Sequence, residues 1–584
     1  MDKNTIIAIV VIFFLVMLFQ FLFLRPKLEQ AYKQDVAVTT EEKAEPEKGT
    51  GTGKLPEVLS AIPEGEVSPA EPDIEQVILV ETQHYTVQIS TAGASVLSFR
   101  LKDYVDQDGK PIELIHHEGG DILPFEVHFD RLKNVTNGDR IIYHVHKDSD
   151  DVFTFYRDFV DNNGNPFRFR KTYIFPKEEF MFELKISVQP LVEGGDLYIN
   201  RDNVAYTLVW GPELGPVSVV RSRYNVTMQG YHENGKFHKV LRGAGGCSLR
   251  RMEARYIEIS RVVDWVGITN RYFLVGIVPD HKNYIFSFDQ RTQGKYFLGI
   301  SGTYHRGRGF EDTFRVYTGP KERKILKSYG YNFESVMSGR LLKPVVIFLE
   351  WMIHSFYKLT GSYGIAIILM TIAIKIILHP LTYKSFQSMR RMSALQPKIN
   401  EIRERYKNNP QQMNREMQAL YRKEKVNPMG GCLPMLLQLP IFYGLYTALS
   451  NMIELRNQAF LWIRDLSLPD TVATLKTSIP LLGYRIENQG YTDINILPFI
   501  MTATTLLQSR LTSGDQSNQQ SRMMTYLFPI IFFFIFWNMP SGLVLYWTIQ
   551  NVLTIAQQYL IDYRFKKKGI APAVPVKSEK SKKR

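Results

Sequence analysis

Long apolar runs crowd into one part of this chain, and no other feature restricts its fold as strongly. Five lie toward the C-terminus, at Tyr363–Leu381, Gly430–Met452, Ile494–Leu511, Met523–Trp537 and Ser541–Ile561, and a sixth, Ile6–Leu24, opens the chain. A helix satisfies its own backbone in hydrocarbon, so each run predicts a membrane span. Several are short. At ~1.5 Å per residue Met523–Trp537 would reach only about 23 Å of a ~30 Å hydrocarbon core.

The formal charge of +13 invites a nucleic-acid reading until it is located. Residues 25–342 carry 41 Lys+Arg and 44 Asp+Glu, net −3, which leaves 30 basic and 14 acidic residues, net +16, elsewhere. A basic, apolar half joined to a near-neutral polar half reads as a membrane protein with a large extramembrane domain. Residues 384–429 hold 11 basic against 4 acidic side chains and residues 563–584 hold 9 against 1, whereas 453–493 hold 4 against 5. The positive-inside rule therefore places 384–429 and the tail in the cytoplasm. Counting back through the spans puts the N-terminus inside and the polar half outside. The flanks of the first run, Lys3 against Arg25 and Lys27, argue weakly the other way.

The segments between the runs have distinct characters. Ile6–Leu24 meets Arg25-Pro26-Lys27 without a small-residue cleavage site, so 1–25 reads as an uncleaved signal anchor. Residues 26–73 form a linker whose 36–72 stretch, rich in Pro, Glu, Gly and Thr, cannot bury enough surface to fold. Its GTGTGK at 49–54 departs from a phosphate loop, with Leu55 where Ser or Thr is required. Across 74–335 short alternating runs such as Tyr85-Thr-Val87-Gln-Ile89 and Phe167-Arg-Phe169-Arg-Lys-Thr-Tyr173 are separated by turn clusters such as Asp161–Pro166 and Glu233-Asn-Gly235. They predict an enlarged or double antiparallel β-sandwich. Residues 341–359 are apolar but include Glu350 and His354, which suits an amphipathic helix lying on the membrane better than a span. Cys247 and Cys432 fall in different compartments and are not expected to pair.

Within the core, 360–562, Lys375 is the residue that demands a reason. It stands in the run Ile365–Leu378, and a lysine at a span's centre costs ~2.5–3.5 kcal/mol. It either snorkels toward the cytoplasmic interface or faces a wet interior. Thr371 lies one turn earlier on the same face. Gln438 interrupts the third span, Gln550, Asn551, Gln557 and Gln558 interrupt the last, and no carboxylate is deep enough to pair with Lys375. This composition predicts a hydrated cavity. In 384–429 a helical hairpin turns at Asn408-Asn-Pro410, with Met389 and Met392 before it and Met413 and Met417 after it. The methionine stripe is either packed core or an adaptable binding face.

The stretches HPLTYKSFQSM (379–389), LQPKI (395–399), LYRKEKVNP (420–428), NPMGGCLPMLLQLPIF (427–442), ELR (454–456) and PSGLVLYW (540–547), in this order, closely resemble YidC membrane-protein insertases. The resemblance spans roughly 340–565. It implies a polytopic α-helical membrane protein with six spans and a five-helix insertase core, carrying a large periplasmic β-supersandwich, in a bacterial inner membrane with both termini cytoplasmic. It implies a non-hydrolytic insertase and chaperone, not an enzyme, with no cofactor and no metal, acting alone or with the Sec translocon on nascent membrane proteins. It also implies a hydrophilic groove open to cytoplasm and lipid, whose positive residue is usually arginine and here is Lys375. Lysine keeps the charge and loses the planar fork. Thr371, Gln438, Tyr546 and Trp547 would line the groove, Trp547 standing where tyrosine is common. The basic residues Lys566, Lys567, Lys568, Lys582, Lys583 and Arg584 would touch ribosomal RNA or anionic lipid, or simply fix topology. A working monomer is expected.

Two rivals come from other classes. A solute carrier using Lys375 would show inverted repeats with paired broken helices, and the sequence has none. A membrane-anchored carbohydrate enzyme or binding module in 74–330 would need a cleft with two carboxylates. His232-Glu233 lacks the second histidine of a zinc-protease motif.

Overall fold

The computed structural model describes residues 74–567 apart from 107–108, 118–120, 136–139, 213, 216–226, 243–254, 281–282, 292–294, 338–341, 425–432, 480–481, 483, 487–488 and 513–518. The signal anchor, the linker, Cys247 and Cys432 lie outside the described residues.

Among the described residues the alternating runs become strands, and every pairing is antiparallel. Nine strands form one sheet in the spatial order Lys236–Arg242, Met228–Glu233, Trp265–Thr269, Phe273–Pro279, Phe310–Pro320, Met181–Pro190, Pro166–Ile174, Val152–Val160 and His144–Lys147. Five strands form a second sheet around Leu197–Trp210 and Tyr296–Gly307, and four between Val77 and Glu113 form a third. One continuous buried cluster draws on all three. It includes Phe99, Phe182, Trp210, Trp265 and Phe314. The side-chain period of two sorts the faces: along Pro166–Ile174, Phe167, Phe169, Lys171 and Tyr173 are buried while the alternate residues are half-exposed. The Asn234-Gly235 turn has φ of 52° and 72°, the left-handed pair that matches the twist of a two-residue hairpin.

The helices follow in chain order. They are α1 Arg323–Ser328, α2 Lys343–Thr360, α3 Tyr363–Ala394, α4 Gln396–Arg405, α5 Pro410–Lys423, α6 Leu433–Asn451, α7 Leu497–Thr512, α8 Gln519–Phe536 and α9 Ser541–Lys567. Several differ from the sequence expectation. Helix α3 continues through Pro380 well past Leu381, so Met389 and Met392 ride on the span rather than on the hairpin. The first hairpin helix starts at Gln396, with Pro397 in its first turn. Helix α7 begins at Leu497 because Ile494 belongs to the strand Gln489–Asn495. That strand joins Thr471–Leu475 and Tyr484–Ile486 in a small sheet between α6 and α7, where the sequence reading predicts no strands. Among the described residues one helical stretch, Tyr363–Ser388, is long and apolar enough to cross a membrane, and Tyr526–Phe536 is a shorter apolar helix.

Helix α2 joins the β-sandwich to the helical core, and the polar residues that interrupted its apolar run are the joint. Arg323 of α1 donates to both oxygens of Glu350, at 3.0 and 3.4 Å. His354 Nδ1 lies 2.7 Å from the Glu350 carbonyl and Nε2 lies 3.0 Å from Glu454 beyond α6. Both ring nitrogens lie within reach of oxygens that accept, an arrangement the doubly protonated ring satisfies best. The hydrogen bond to Glu454 accordingly raises the imidazole's pKa, against an opposing effect of burial. Further ties are Arg271 Nε to the Ser450 carbonyl (2.6 Å) and Asn457 Nδ2 to the carbonyls of Val105 and Asp106 (2.8 and 3.0 Å). A histidine whose pKa is raised on folding stabilises the joint fully below its unfolded value of about 6.5, and that contribution is lost as pH rises through the folded value. Amide-hydrogen exchange across 453–456 should therefore report a looser joint on going from mildly acidic to alkaline pH. After correction for intrinsic exchange, Glu454→Gln should remove that change; an unaltered pH response would dismiss the His354–Glu454 pair as its source.

Candidate functional site

Helix α9 carries Tyr546, Gln550, Thr554 and Gln557 at spacings of four, four and three, so they share one face. All four are buried against the core. The Tyr546 hydroxyl is 3.4 Å from Gln438 Nε2 on α6, and Gln550 Nε2 donates to Gln438 Oε1 at 3.1 Å. One turn beyond Gln550, Lys375 Nζ of α3 donates to Thr554 Oγ1 at 2.7 Å. Gln557 donates to Thr382 Oγ1 (2.8 Å) and faces His379 Nδ1 (3.0 Å). On another face of α9, Asn551 reaches Thr504 and Thr505 of α7. A polar seam thus runs along α9 between α3, α6 and α7.

Lys375 is aimed into this seam. Its neighbours Ile376 and Ile377 are 68% and 59% exposed, as residues on a lipid face would be, while the Lys375 ammonium meets a hydroxyl inside. A neutral hydroxyl can orient an ammonium without cancelling its charge, so the seam keeps a positive point charge. Thr371 is fully buried one turn away, its Oγ1 donating to the Ile367 carbonyl at 2.7 Å. Trp547 turns from the seam into a wall of rings, with Phe442 at 5.2 Å and Phe532 and Phe536 each at 5.3 Å. Helix α6 is buried at Leu445, Ala448 and Leu449, whereas Leu439 and Pro440, toward its other end, are exposed. The C-terminal half of α6 is thus packed into the core, while its N-terminal half keeps an exposed face beside Gln438, which itself bonds to α9.

Sequence reading missed Thr554, His379 and Thr382; the spacing of polar residues along α9 was the available signal for Thr554. Met392, near the end of α3, and Met417 of the hairpin pack with Leu420 and Tyr421 on buried Leu395 and Ile399, so these two methionines serve the hairpin's core. Met413 is half-buried outside that cluster. The side chain of Met389 and those of Lys566 and Lys567 lie outside the described residues, as do Lys568, Lys582, Lys583 and Arg584.

The outer domain offers a cleft lined by Glu183, Lys185, Asp280, Thr313 and Arg315. Glu183 pairs with Arg315 at 3.5 Å, and Asp280 accepts from the Tyr284 hydroxyl (3.0 Å) and the Thr313 amide (2.7 Å). Both carboxylates are engaged by the protein itself. His232 is held by Asp264 at 2.8 Å and stacks on Trp265. Among the described residues no three His, Cys, Asp or Glu side chains gather as a metal site would require.

A family model described as the 60Kd inner membrane protein matches residues 355–568, and one described as the YidC periplasmic domain matches residues 77–338. The membrane protein insertase YidC of Treponema denticola is 30% identical over 539 residues, covering 85% of this chain and 88% of that protein. The chain belongs to the YidC membrane protein insertase family. The YidC protein of Geobacter sp. (strain M21) is 32% identical, covering 83% of this chain and 85% of that one. A crystal structure of an active YidC insertase with its first transmembrane domain resolved aligns over 83% of this chain and 92% of that chain, at 19% identity and a TM-score of 0.34. The family inserts membrane proteins and is not a family of enzymes; its setting is the inner membrane, and the β-sandwich is its periplasmic domain.

Proposed function

We propose that this YidC chain moves the short polar or acidic tail of a nascent membrane protein across the bilayer along the α9 seam, with Lys375 supplying the attracting charge. The observation that carries the reading is the Lys375–Thr554 contact, a cation aimed inward and held by a neutral hydroxyl. The α4–α5 hairpin receives the emerging apolar segment at the cytoplasmic mouth, Met413 offering its adaptable face. Gln438, Gln550 and Tyr546 hydrate the path, and Thr371 and Trp547 shape its walls. The client's hydrophobic segment then leaves sideways beside α6. Burial of that segment in lipid, at ~25 cal/mol per Å², drives release without ATP. The membrane potential adds ~2.3 kcal/mol per acidic charge per 100 mV.

In this reading the chain crosses the membrane six times, at the signal anchor, α3, α6, α7, α8 and α9, with both termini cytoplasmic. Helices α7 and α8, of 16 and 18 residues, would reach about 24 and 27 Å. Such short spans thin the bilayer locally and shorten the tail's passage. The basic tail meets ribosomal RNA or anionic lipid, and the Sec translocon is a partner for larger clients. The chain works as a monomer.

The test is to deplete the protein and complement with wild type or Lys375→Ala while measuring insertion of two single-span clients that differ only in tail charge. The alanine variant should slow the acidic-tailed client several-fold more than the neutral one. Equal rates for both clients in both chains would end the groove-charge mechanism.

A further inference from the structure

The loop after α6 contains a tight turn that the groove does not use. Phe460 and Ile463 form an isolated antiparallel bridge, with backbone hydrogen bonds of 2.8 and 2.9 Å in the two directions. Ile463 is buried. Phe460 lies over Gly364 so closely that a Cβ there would stand 2.2 Å from its ring. Gly364 is the second residue of α3, the helix long and apolar enough to cross a membrane. The turn is therefore seated on the outer end of that helix.

Both of its central residues present apolar surface, although the Trp462 indole is tied back to the protein at one edge. Leu461 is 75% exposed and Trp462 41%. Leu359, near the end of α2 and just before the Gly361 turn into α3, is 78% exposed. The backbone makes Leu461 more unusual still, with φ +55°. Among the described residues eight non-glycine positions have positive φ: five are Asn or Asp, Ala94 and Phe125 are fully buried, and Leu461 alone is apolar and exposed. Asparagine or glycine would adopt this conformation more easily, and in water a leucine there gains nothing in return.

We propose that Leu461 and Trp462, with Leu359, form an apolar wedge that inserts into the boundary between acyl chains and headgroups in the periplasmic leaflet. The occupant of this surface is glycerophospholipid, because the surface is continuous with a lipid-facing one. Ile365, 40% exposed, is the next residue of α3 after Gly364, and Phe348 and Trp351, stacked at 6.0 Å, project from α2. The indole is equipped for that depth: Trp462 Nε1 already donates to Asp470 Oδ2 at 3.1 Å, so the ring can leave water without an unpaired donor. Because both ends of the turn are fixed to the protein, the wedge sits rigidly beside α3 and marks the depth at which the core rides in the bilayer.

The experiment uses the full chain with Cys247→Ser and Cys432→Ser, labelled with an environment-sensitive fluorophore at Leu461→Cys and reconstituted in phosphatidylethanolamine–phosphatidylglycerol vesicles. A parallel chain carries the label at Leu359→Cys, and a control carries it at Val192→Cys, an exposed position of the β-sandwich. Lipids bearing a doxyl group high on the acyl chain should quench the labels at 461 and 359 several-fold more than iodide does, and the order should reverse at 192. Iodide quenching at 461 equal to that at 192 would overturn the proposal. So would protection from both quenchers together with a disulfide between two chains at 461, which would assign the surface to a second copy.

Discussion

Lys375→Glu is expected to abolish insertion of clients with acidic tails, while Lys375→Arg inserts them at close to the wild-type rate. The ammonium sits against a hydroxyl and not a carboxylate, so its field is available to a passing client. At an effective dielectric constant of about 20, a unit charge 4 Å from a carboxylate contributes about 4 kcal/mol, attractive for lysine and repulsive for glutamate. Water in the groove will reduce this. Half of it, in each direction, still amounts to a rate loss on the order of a hundredfold or more. Arginine preserves the sign, reaches slightly further and can donate to Thr554. The hydroxyl itself is a weaker lever: Thr554→Val should lower the rate modestly, since it removes the orienting acceptor and leaves the charge. Initial rates in proteoliposomes, for one client with aspartates in its tail and one with asparagines, separate these cases. Wild-type insertion of the aspartate client by Lys375→Glu would refute the electrostatic account outright. Failure of Lys375→Arg alone would show instead that the compact ammonium is required.

Individual residues of the seam were legible because each breaks an otherwise apolar run. A lysine within Ile365–Leu378 or a glutamine at 438 stands out in one dimension. Their pairing does not, since Lys375 meets Thr554 and Gln438 meets Gln550 through the relative register of separate helices, which no local pattern encodes. The strands of the β-sandwich were legible from their period of two, whereas the small sheet at 471–495 was missed because its strands are short and its Thr-Val-Ala-Thr-Leu alternation lies among turn residues. The domain joint was half legible. Glu350 and His354 looked out of place on an apolar helix, but Arg323 carries no signal of its own, and the ELR stretch that holds Glu454 does not say which residue it meets. One signal was present and went unread: in Phe167-Arg-Phe169-Arg-Lys-Thr-Tyr173 the alternation assigns Lys171 to the dry face.

That lysine supports the second large prediction. Lys171 is fully buried, and its ammonium donates to the carbonyls of Ala94, at 2.6 Å, and of Phe125. Both carbonyls belong to residues with positive φ, 47° and 64°, so one side chain ties down two turns that their own residue types disfavour. Tyr173 also donates to the Ala94 carbonyl at 2.8 Å, which leaves Phe125 as the group exposed by truncation. Lys171→Met keeps the volume and orphans that carbonyl, a cost of about 1–3 kcal/mol. The same burial depresses the amine's pKa to about 7, and burial does likewise to Lys321, which donates to the Asn270 carbonyl. Between pH 7 and about 10.5 the unfolded chain holds protons on these amines that the folded chain lacks, so outer-domain stability should rise with pH across that window. Below about pH 7 both states are protonated and the full penalty of burying the charge is felt. Lys171→Met should therefore be less stable than wild type at alkaline pH, approach or overtake it near pH 6, and retain about half the alkaline rise through Lys321. Removing both amines should flatten the curve. Urea unfolding of the full chain in detergent, read by pulsed proteolysis of the outer domain at several pH values, measures all three curves; a Lys171→Met profile parallel to wild type would show that Lys171 does not titrate in this window.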